Sequence, residues 1–264
     1  MRVFVTRPAR EATPWVHALQ AQGFDAVALP LIDIQTLPHD ASLQQAQARL
    51  QDYDALMFVS ANAVAGFFEG FATHGFDALK NRSWPTRLRC WATGPGTARA
   101  LRVAGVDESQ IDVPPPDAPT FDSEALWAVV QPGVRAGQRV LVVRGTDAHH
   151  SQASGVGRDW LTRQLQAAGI RVDTAVSYER RCPIWTPEQA QRVQDLLPHS
   201  VWVLSSSEAL SNLQLLLPQQ RFDQAKAVAT HPRIAQAAEK AGFGVVIQSQ
   251  PDLNQVMLSI KSMA

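Results

Sequence analysis

Ser60, Thr93, Ser206 and Thr230 each stand where an apolar, strand-like run gives way to an amphipathic, helix-like one. A hydroxyl at such a corner lies beside the unpaired N–H groups and the positive dipole end of the following helix, which together can hold an anion. Any one of them alone reads better as a helix cap. They do not occur alone. ATGPGTARALRVAG (Ala92 to Gly105) returns as ATHPRIAQAAEKAG (Ala229 to Gly242), a shift of 137 residues that keeps Thr93/Thr230, Pro95/Pro232 and Gly105/Gly242. FVSANAV returns as LSSSEAL at a shift of 146, pairing Ser60 with Ser206, and RVFVTRP returns as RVLVVRG at 137, pairing Arg7 with Arg144. The chain is therefore an internal repeat. Ser60-Ala61-Asn62, Thr93-Gly94, Ser206-Ser207 and Thr230 are the polar corners of its two halves, with Arg7 and Arg144-Gly145 beside them. Such a set suits a large ligand with many carboxylates.

Where the repeat fails it is informative. At the shift of 146, Tyr178 stands opposite the apolar Ile32, and it is one of only two tyrosines in the chain. A phenol can donate a proton in a reaction or satisfy one buried hydrogen bond, and for an arbitrary tyrosine the second role is commoner. Its place on a symmetry-breaking extended segment raises the first.

The elements that must carry these residues follow from hydrophobic periodicity. Val3 to Thr6 reads as a buried strand, and Glu11 to Gln22 as a helix stopped by Gly23. Phe24 to Leu37 is too long for one strand and is interrupted by Pro30. Strand, polar corner and helix then recur around Ser60 and Thr93. Asp122 and Ser123 are N-cap candidates for a helix over Glu124 to Val130. The second half opens with a strand over Arg139 to Val143, then Arg144-Gly145. A nine-residue gain relative to the first half falls in Thr146 to Gly157, which reads as an exposed loop. His149 and His150 in that loop lack partners at ligand spacing, so no metal site is expected. Arg171 to Arg181 is a second long extended segment, and strands and helices alternate from there to the end. Alternation of this kind predicts parallel sheets covered on both faces, with ligands at the carboxyl ends of strands.

Composition excludes several classes. With 264 residues and 45% hydrophobic content, about two domains are expected. The 24 Lys and Arg balance the 24 Asp and Glu, so no bulk field draws nucleic acid or an anionic membrane. Cys90 and Cys182 form no CxxC pattern and fit a reducing compartment. The short apolar start and the absence of a run near 20 apolar residues point to a soluble, cytoplasmic protein. Neutral charge and no heptads point to a monomer. Arg99 stands where a dinucleotide fingerprint needs glycine, and neither a P-loop nor a G-x-S-x-G elbow occurs.

The ordered set VTRP, FVSANAV, ATGPGTARAL, DSEALW, VLVVRG, GRDWL, VSYERR, LSSSEAL and ATHPRIAQAA resembles the uroporphyrinogen-III synthase family along essentially the whole chain. The resemblance implies two flavodoxin-like parallel-sheet α/β domains joined by a two-stranded β linker. Residues 1–35 with 180–264 would form the first, and residues 40–172 the inserted second, with crossovers near 34–39 and 172–180. It implies that hydroxymethylbilane loses water and closes to uroporphyrinogen III with ring D inverted through a spiro intermediate, using no cofactor and no metal. Tyr178 matches the family's tyrosine and would protonate the departing hydroxyl; Arg7, Ser60, Ala61, Asn62, Thr93, Gly94, Arg144, Gly145, Ser206, Ser207 and Thr230 would hold the acetate and propionate groups. The partners implied are that small-molecule substrate and, transiently, the preceding pathway enzyme, with no nucleic acid or membrane. The sequence departs from the family at His231-Pro232-Arg233-Ile234, which makes Thr230 the binding candidate of that turn. The competing class is a non-catalytic, two-lobed intracellular ligand-binding or sensor protein, which would bind its ligand unchanged.

Overall fold

The structure is a computed structural model of the chain and describes residues 1–73, 84–118, 120–147 and 158–263. In chain order its main elements are β1 (Arg2–Val5), α1 (Ala9–Ala21), β2 (Asp25–Ala28), β3 (Asp33–Thr36), α2 (Ala41–Ala48), β4 (Ala55–Phe58), α3 (Ala61–Thr73), β5 (Arg89–Ala92), α4 (Pro95–Val103), β6 (Ile111–Asp112) and α5 (Ser123–Val130). There follow β7 (Arg139–Asp147), α6 (Arg158–Ala167), β8 (Arg171–Arg181), α7 (Pro187–Leu196), β9 (Val201–Leu204), α8 (Ser207–Leu216), β10 (Lys226–Ala229), α9 (Pro232–Lys240), β11 (Val245–Gln248) and α10 (Leu253–Ser262). Two compact units result. One comprises Met1–Asp33 with Arg181–Ala264, the other Ile34–Arg180. The chain changes unit at β3 and β8, which are neighbours in one sheet.

The first unit holds a five-stranded sheet in the order β11-β10-β9-β1-β2, with all four pairings parallel. In the order in which strands enter this unit that is 2-1-3-4-5, the flavodoxin-like arrangement. The central strand β9 is Val201, Trp202, Val203 and Leu204, all fully buried, as a strand covered on both faces must be. Each such side chain stabilises the sheet by about 1.5–3 kcal/mol relative to exposure. On one face Val3, Val5, Val201 and Val203 pack with Ala12, Val16 and Leu19 of α1 and with Val256 and Ile260 of α10. On the other, Phe4 lies 4.7 Å from the Trp202 ring, which Phe243 meets edge-on.

The second unit holds a six-stranded sheet in the order β3-β8-β7-β4-β5-β6, parallel from β8 through β6. Alternation divides its residues cleanly. Leu56, Phe58, Leu141, Val143 and Ala175 face a core completed by α2, α3 and α4. Ala55, Met57, Val140 and Val142 face Leu126 and Val130 of α5 and Leu161 and Leu165 of α6.

The sequence repeat and the units are not the same division. The repeat equates β1 with β7, β2 with β8, β4 with β9, β5 with β10 and β6 with β11. Substituting these into the sheet of the first unit reproduces the order β6-β5-β4-β7-β8 of the second. Each unit therefore takes one βαβ segment (β1–α1–β2 or β7–α6–β8) from one half of the repeat and three further equivalent strands (β9–β11 or β4–β6) from the other. Equivalent ends persist: Gly105 and Gly242 close α4 and α9 at φ of 91° and 89°, a conformation that glycine adopts without strain. Asp122 and Asp252 cap α5 and α10 through backbone N–H groups.

Phe24 to Leu37 is broken around Pro30, as its length and that proline predict: β2 ends at Ala28 and β3 begins at Asp33. Pro30 cannot donate to a ladder, and the stretch between is held instead by Leu29 N donating to Val5 O, Leu31 N donating to Thr6 O, and Asn212 Nδ2 donating to Leu31 O at 2.7 Å. One local expectation is corrected: the strand expected over Arg139 to Val143 does not end there but runs through Arg144-Gly145 to Asp147, which takes Thr146 and Asp147 out of the expected 146–157 loop. The rest of the expected 146–157 loop, His149 and His150 included, lies outside the described residues.

Candidate functional site

In the second unit the carboxyl ends of β4, β7 and β8 bring three of the candidate residues into one row. Phe58 pairs with Val143, and Val59 N still donates to Val143 O, so Ser60 comes level with Gly145. Gly145 in turn pairs with Tyr178. The Tyr178 side chain is buried, at 5% exposure, and Ser60 Oγ donates to its phenol oxygen at 3.1 Å. Ser60 Oγ also accepts Ala63 N–H at 3.1 Å, so it caps α3 and reaches the tyrosine with the same atom.

Tyr178 reaches this row through a β-bulge. The β7–β8 register runs Arg144 to Val176 and then Gly145 to Tyr178, leaving Ser177 as the extra residue. Unbroken alternation from Ala175 would turn Tyr178 to the opposite face of the sheet; the bulge restores it to the face of Ala175, where both pack in one cluster. Ser177 is held on three sides. Its hydroxyl donates to Ala63 O at 3.1 Å, its carbonyl accepts Leu37 N–H at 2.9 Å, and α3 presses against it at Gly66, where a Cβ would stand 2.8 Å from the Ser177 carbonyl carbon. Neither Ser177 nor Gly66 was among the residues read from the sequence; Gly66 inside an apolar helix is the signal that could have marked a close approach.

The other candidates in this unit lie at the same strand ends. Ala61 and Asn62 open α3. Thr93 Oγ1 donates to Val59 O at 3.3 Å, so its hydroxyl is engaged with the neighbouring strand. Gly94 precedes α4 with no side-chain cap; Pro95 has no N–H and Thr97 N–H donates to Gly94 O, so the Gly96 N–H is the first-turn donor left for an anion. Arg144 is part-buried within β7.

The first unit gathers its candidates after β1, β9 and β10, adjacent strands in the sheet. Arg7 is paired with Glu11 at 3.1 Å and lies 4.6 Å from the Trp15 ring centroid, so part of its binding capacity is committed. Ser206 Oγ caps α8 by accepting Glu208 N–H. Ser207 Oγ is buried without a hydrogen-bond partner among the described residues. Thr230 is buried, its hydroxyl 3.5 Å from Leu204 O. His231 Nδ1 accepts Arg233 N–H, closing on α9 the end that Gly94 leaves open on α4.

The second tyrosine is placed quite differently. Tyr53 donates to Asp173 at 3.0 Å, beside Arg139, near the amino ends of β7 and β8. Burial, followed by the Asp173 hydrogen bond, pushes its pKa up to about 12. It is a structural phenol, and Tyr178 stands alone at the opposite strand ends.

Two doubly wound units with hydroxyl-bearing corners at strand carboxyl ends define the class of protein: a two-unit α/β protein of parallel sheets. Among the described residues no helix is long and apolar enough to cross a membrane. The model of the family described as uroporphyrinogen-III synthase HemD matches residues 13–257. The chain belongs to the uroporphyrinogen-III synthase family, whose members are enzymes of tetrapyrrole synthesis. Uroporphyrinogen-III synthase of Chlorobaculum parvum is 28% identical over 93% of this chain and 91% of its own length. That of Synechococcus elongatus is 29% identical over 71% of this chain and 64% of its own length, so the match spans less than two thirds of that relative. The solved uroporphyrinogen-III synthetase of Helicobacter pylori 26695 shares the fold at a TM-score of 0.60, with 17% identity and all of both chains covered.

Proposed function

We propose that this chain converts hydroxymethylbilane to uroporphyrinogen III, losing water and inverting ring D through a spiro intermediate. Loss of one water and closure of the ring balance without oxidant or reductant, so the chemistry asks the protein for an acid, for anion donors and for control of geometry. Tyr178 supplies the acid. The Ser60 hydroxyl lies 3.1 Å from the phenol oxygen, so once the phenol has given its proton to the departing hydroxyl, Ser60 can donate to the phenolate that forms. Backbone N–H groups at the start of α4 and at the Ser60–Asn62, Ser206–Ser207 and Thr230 corners supply donors for acetate and propionate groups, with Arg7 and Arg144 as cations. Holding these groups fixes which carbon of ring D attacks. On this reading the protein is a monomer acting in the cytoplasm.

The observation that carries this reading is the Tyr178–Ser60 contact at the strand ends of a chain that belongs to this family. The test is to give the purified protein freshly made hydroxymethylbilane, oxidise the products and separate the isomer I and III porphyrins. Isomer III above a no-protein control is expected. Isomer I at the uncatalysed rate would return the chain to the ligand-binding alternative.

A further inference from the structure

Tyr178 belongs to β8 and Ser60 follows β4, with β7 between them. Strands in a sheet are about 4.8 Å apart, so the phenol has to bridge two spacings, about 10 Å. It does so by lying over the intervening strand, and the residue at the crossing point is Gly145, its register partner. A Cβ at Gly145 would stand 2.5 Å from Tyr178 Cε2 and 2.8 Å from Cε1, and nearer still to Cζ. The ring occupies the space of the missing side chain. A strand glycine often marks the close approach of a ligand or a second backbone; here the chain's own tyrosine fills the place.

We propose that Gly145 is a positioning residue for Tyr178, the seat that lets the phenol lie across β7 to Ser60, and not a donor to the substrate. The seat works together with the bulge: Ser177 sets which residue of β8 comes level with Gly145, and Gly145 sets how far the ring can reach. Any side chain at position 145 lifts the ring and separates the phenol oxygen from Ser60. The consequence for catalysis rests on the synthase reading; the placement of the ring does not.

Two measurements test it together. With 3-fluorotyrosine in place of tyrosine, the two tyrosines give two fluorine resonances, assigned by Tyr178→Phe. Gly145→Ala is expected to move the Tyr178 resonance and leave that of Tyr53 in place; an unmoved Tyr178 resonance overturns the seat whether or not the protein makes isomer III. In turnover, Gly145→Ala is expected to lower kcat by about the factor that Tyr178→Phe does, with KM held within about twofold, and to cause no further loss when added to Tyr178→Phe. A rise in KM with kcat kept, or an added loss in the Gly145→Ala/Tyr178→Phe double variant, would show Gly145 acting on substrate or fold directly and would overturn the proposal. Should Gly145→Ala not fold, Gly145→Ala/Tyr178→Ala is expected to restore folding, since the new methyl then enters space the ring has left. Failure of that pair to fold also overturns it. A wild-type protein that makes no isomer III removes the proposed function, while the fluorine spectra still decide the seat.

Discussion

Ser60 Oγ and the Tyr178 phenol oxygen lie 118 residues apart in the chain and 3.1 Å apart in space. Tyr178→Phe removes the proposed acid and this contact while keeping the buried ring. On the proposed function, turnover is expected to fall by about 10²-fold or less, the low end of general-acid effects, because the intermediate of that reaction is reactive by itself. The product should remain isomer III, since the groups proposed to orient ring D are untouched. Initial rates with isomer analysis check this, and an unchanged rate would remove Tyr178 from the mechanism.

Asn212 on α8 anchors the stretch that follows β2 by donating to the Leu31 carbonyl from a buried position. Asn212→Leu keeps the volume roughly but leaves that carbonyl unpaired, at a cost of about 1–3 kcal/mol. Urea unfolding should show a lower midpoint than wild type. A midpoint that does not move would mean that Leu31 finds another donor.

Asp122 accepts Ala125 N–H at 2.9 Å at the start of α5, and that backbone bond, with help from Thr120, holds its pKa below the ordinary carboxylate value. A carboxylate depressed in the folded state stabilises fully above its unfolded pKa of about 3.9 and loses that contribution as pH falls through the folded value. Between about pH 5 and pH 2 the wild type should therefore lose more thermal stability than Asp122→Asn, which caps at every pH. Parallel melting curves against pH for the two proteins would count against the cap. At neutral pH Asp122→Ala should cost about 1 kcal/mol.

Cys90 on β5 is fully buried, and burial pushes its thiol up to about 12. It therefore stays a thiol at pH 8, and its burial keeps reagents from it in the folded state. Cys182 is half-buried and its thiol is also raised by burial. Ellman's reagent should titrate Cys182 slowly and Cys90 only after denaturant is added. Two thiols reacting promptly in the native protein would contradict this placement.

Much of the architecture was legible in the residues. The pairs Thr93/Thr230, Ser60/Ser206 and Gly105/Gly242 mark equivalent strand ends and helix stops, and each is a local event that nearby residues control. The helix capped by Asp122 and the stop at Gly23 follow for the same reason. Tyr178 was singled out because it breaks the repeat. The extent of β7 beyond Val143 was not legible, because Arg144-Gly145 continues its ladder only when β8 is there to pair with it.

What the sequence by itself determined is which residues end strands, which begin helices, and that two halves of one plan are present. Only the tertiary structure decided which half supplies which strands to a sheet, and which face Tyr178 takes. A strand's side chains alternate, so one extra residue reverses the face of everything after it. Whether Ser177 is that residue depends on Leu37, Ala63 and Gly66, which meet it only after the chain has folded. The seat at Gly145 is of the same kind: a missing side chain has meaning only once the ring that fills its place has been brought beside it.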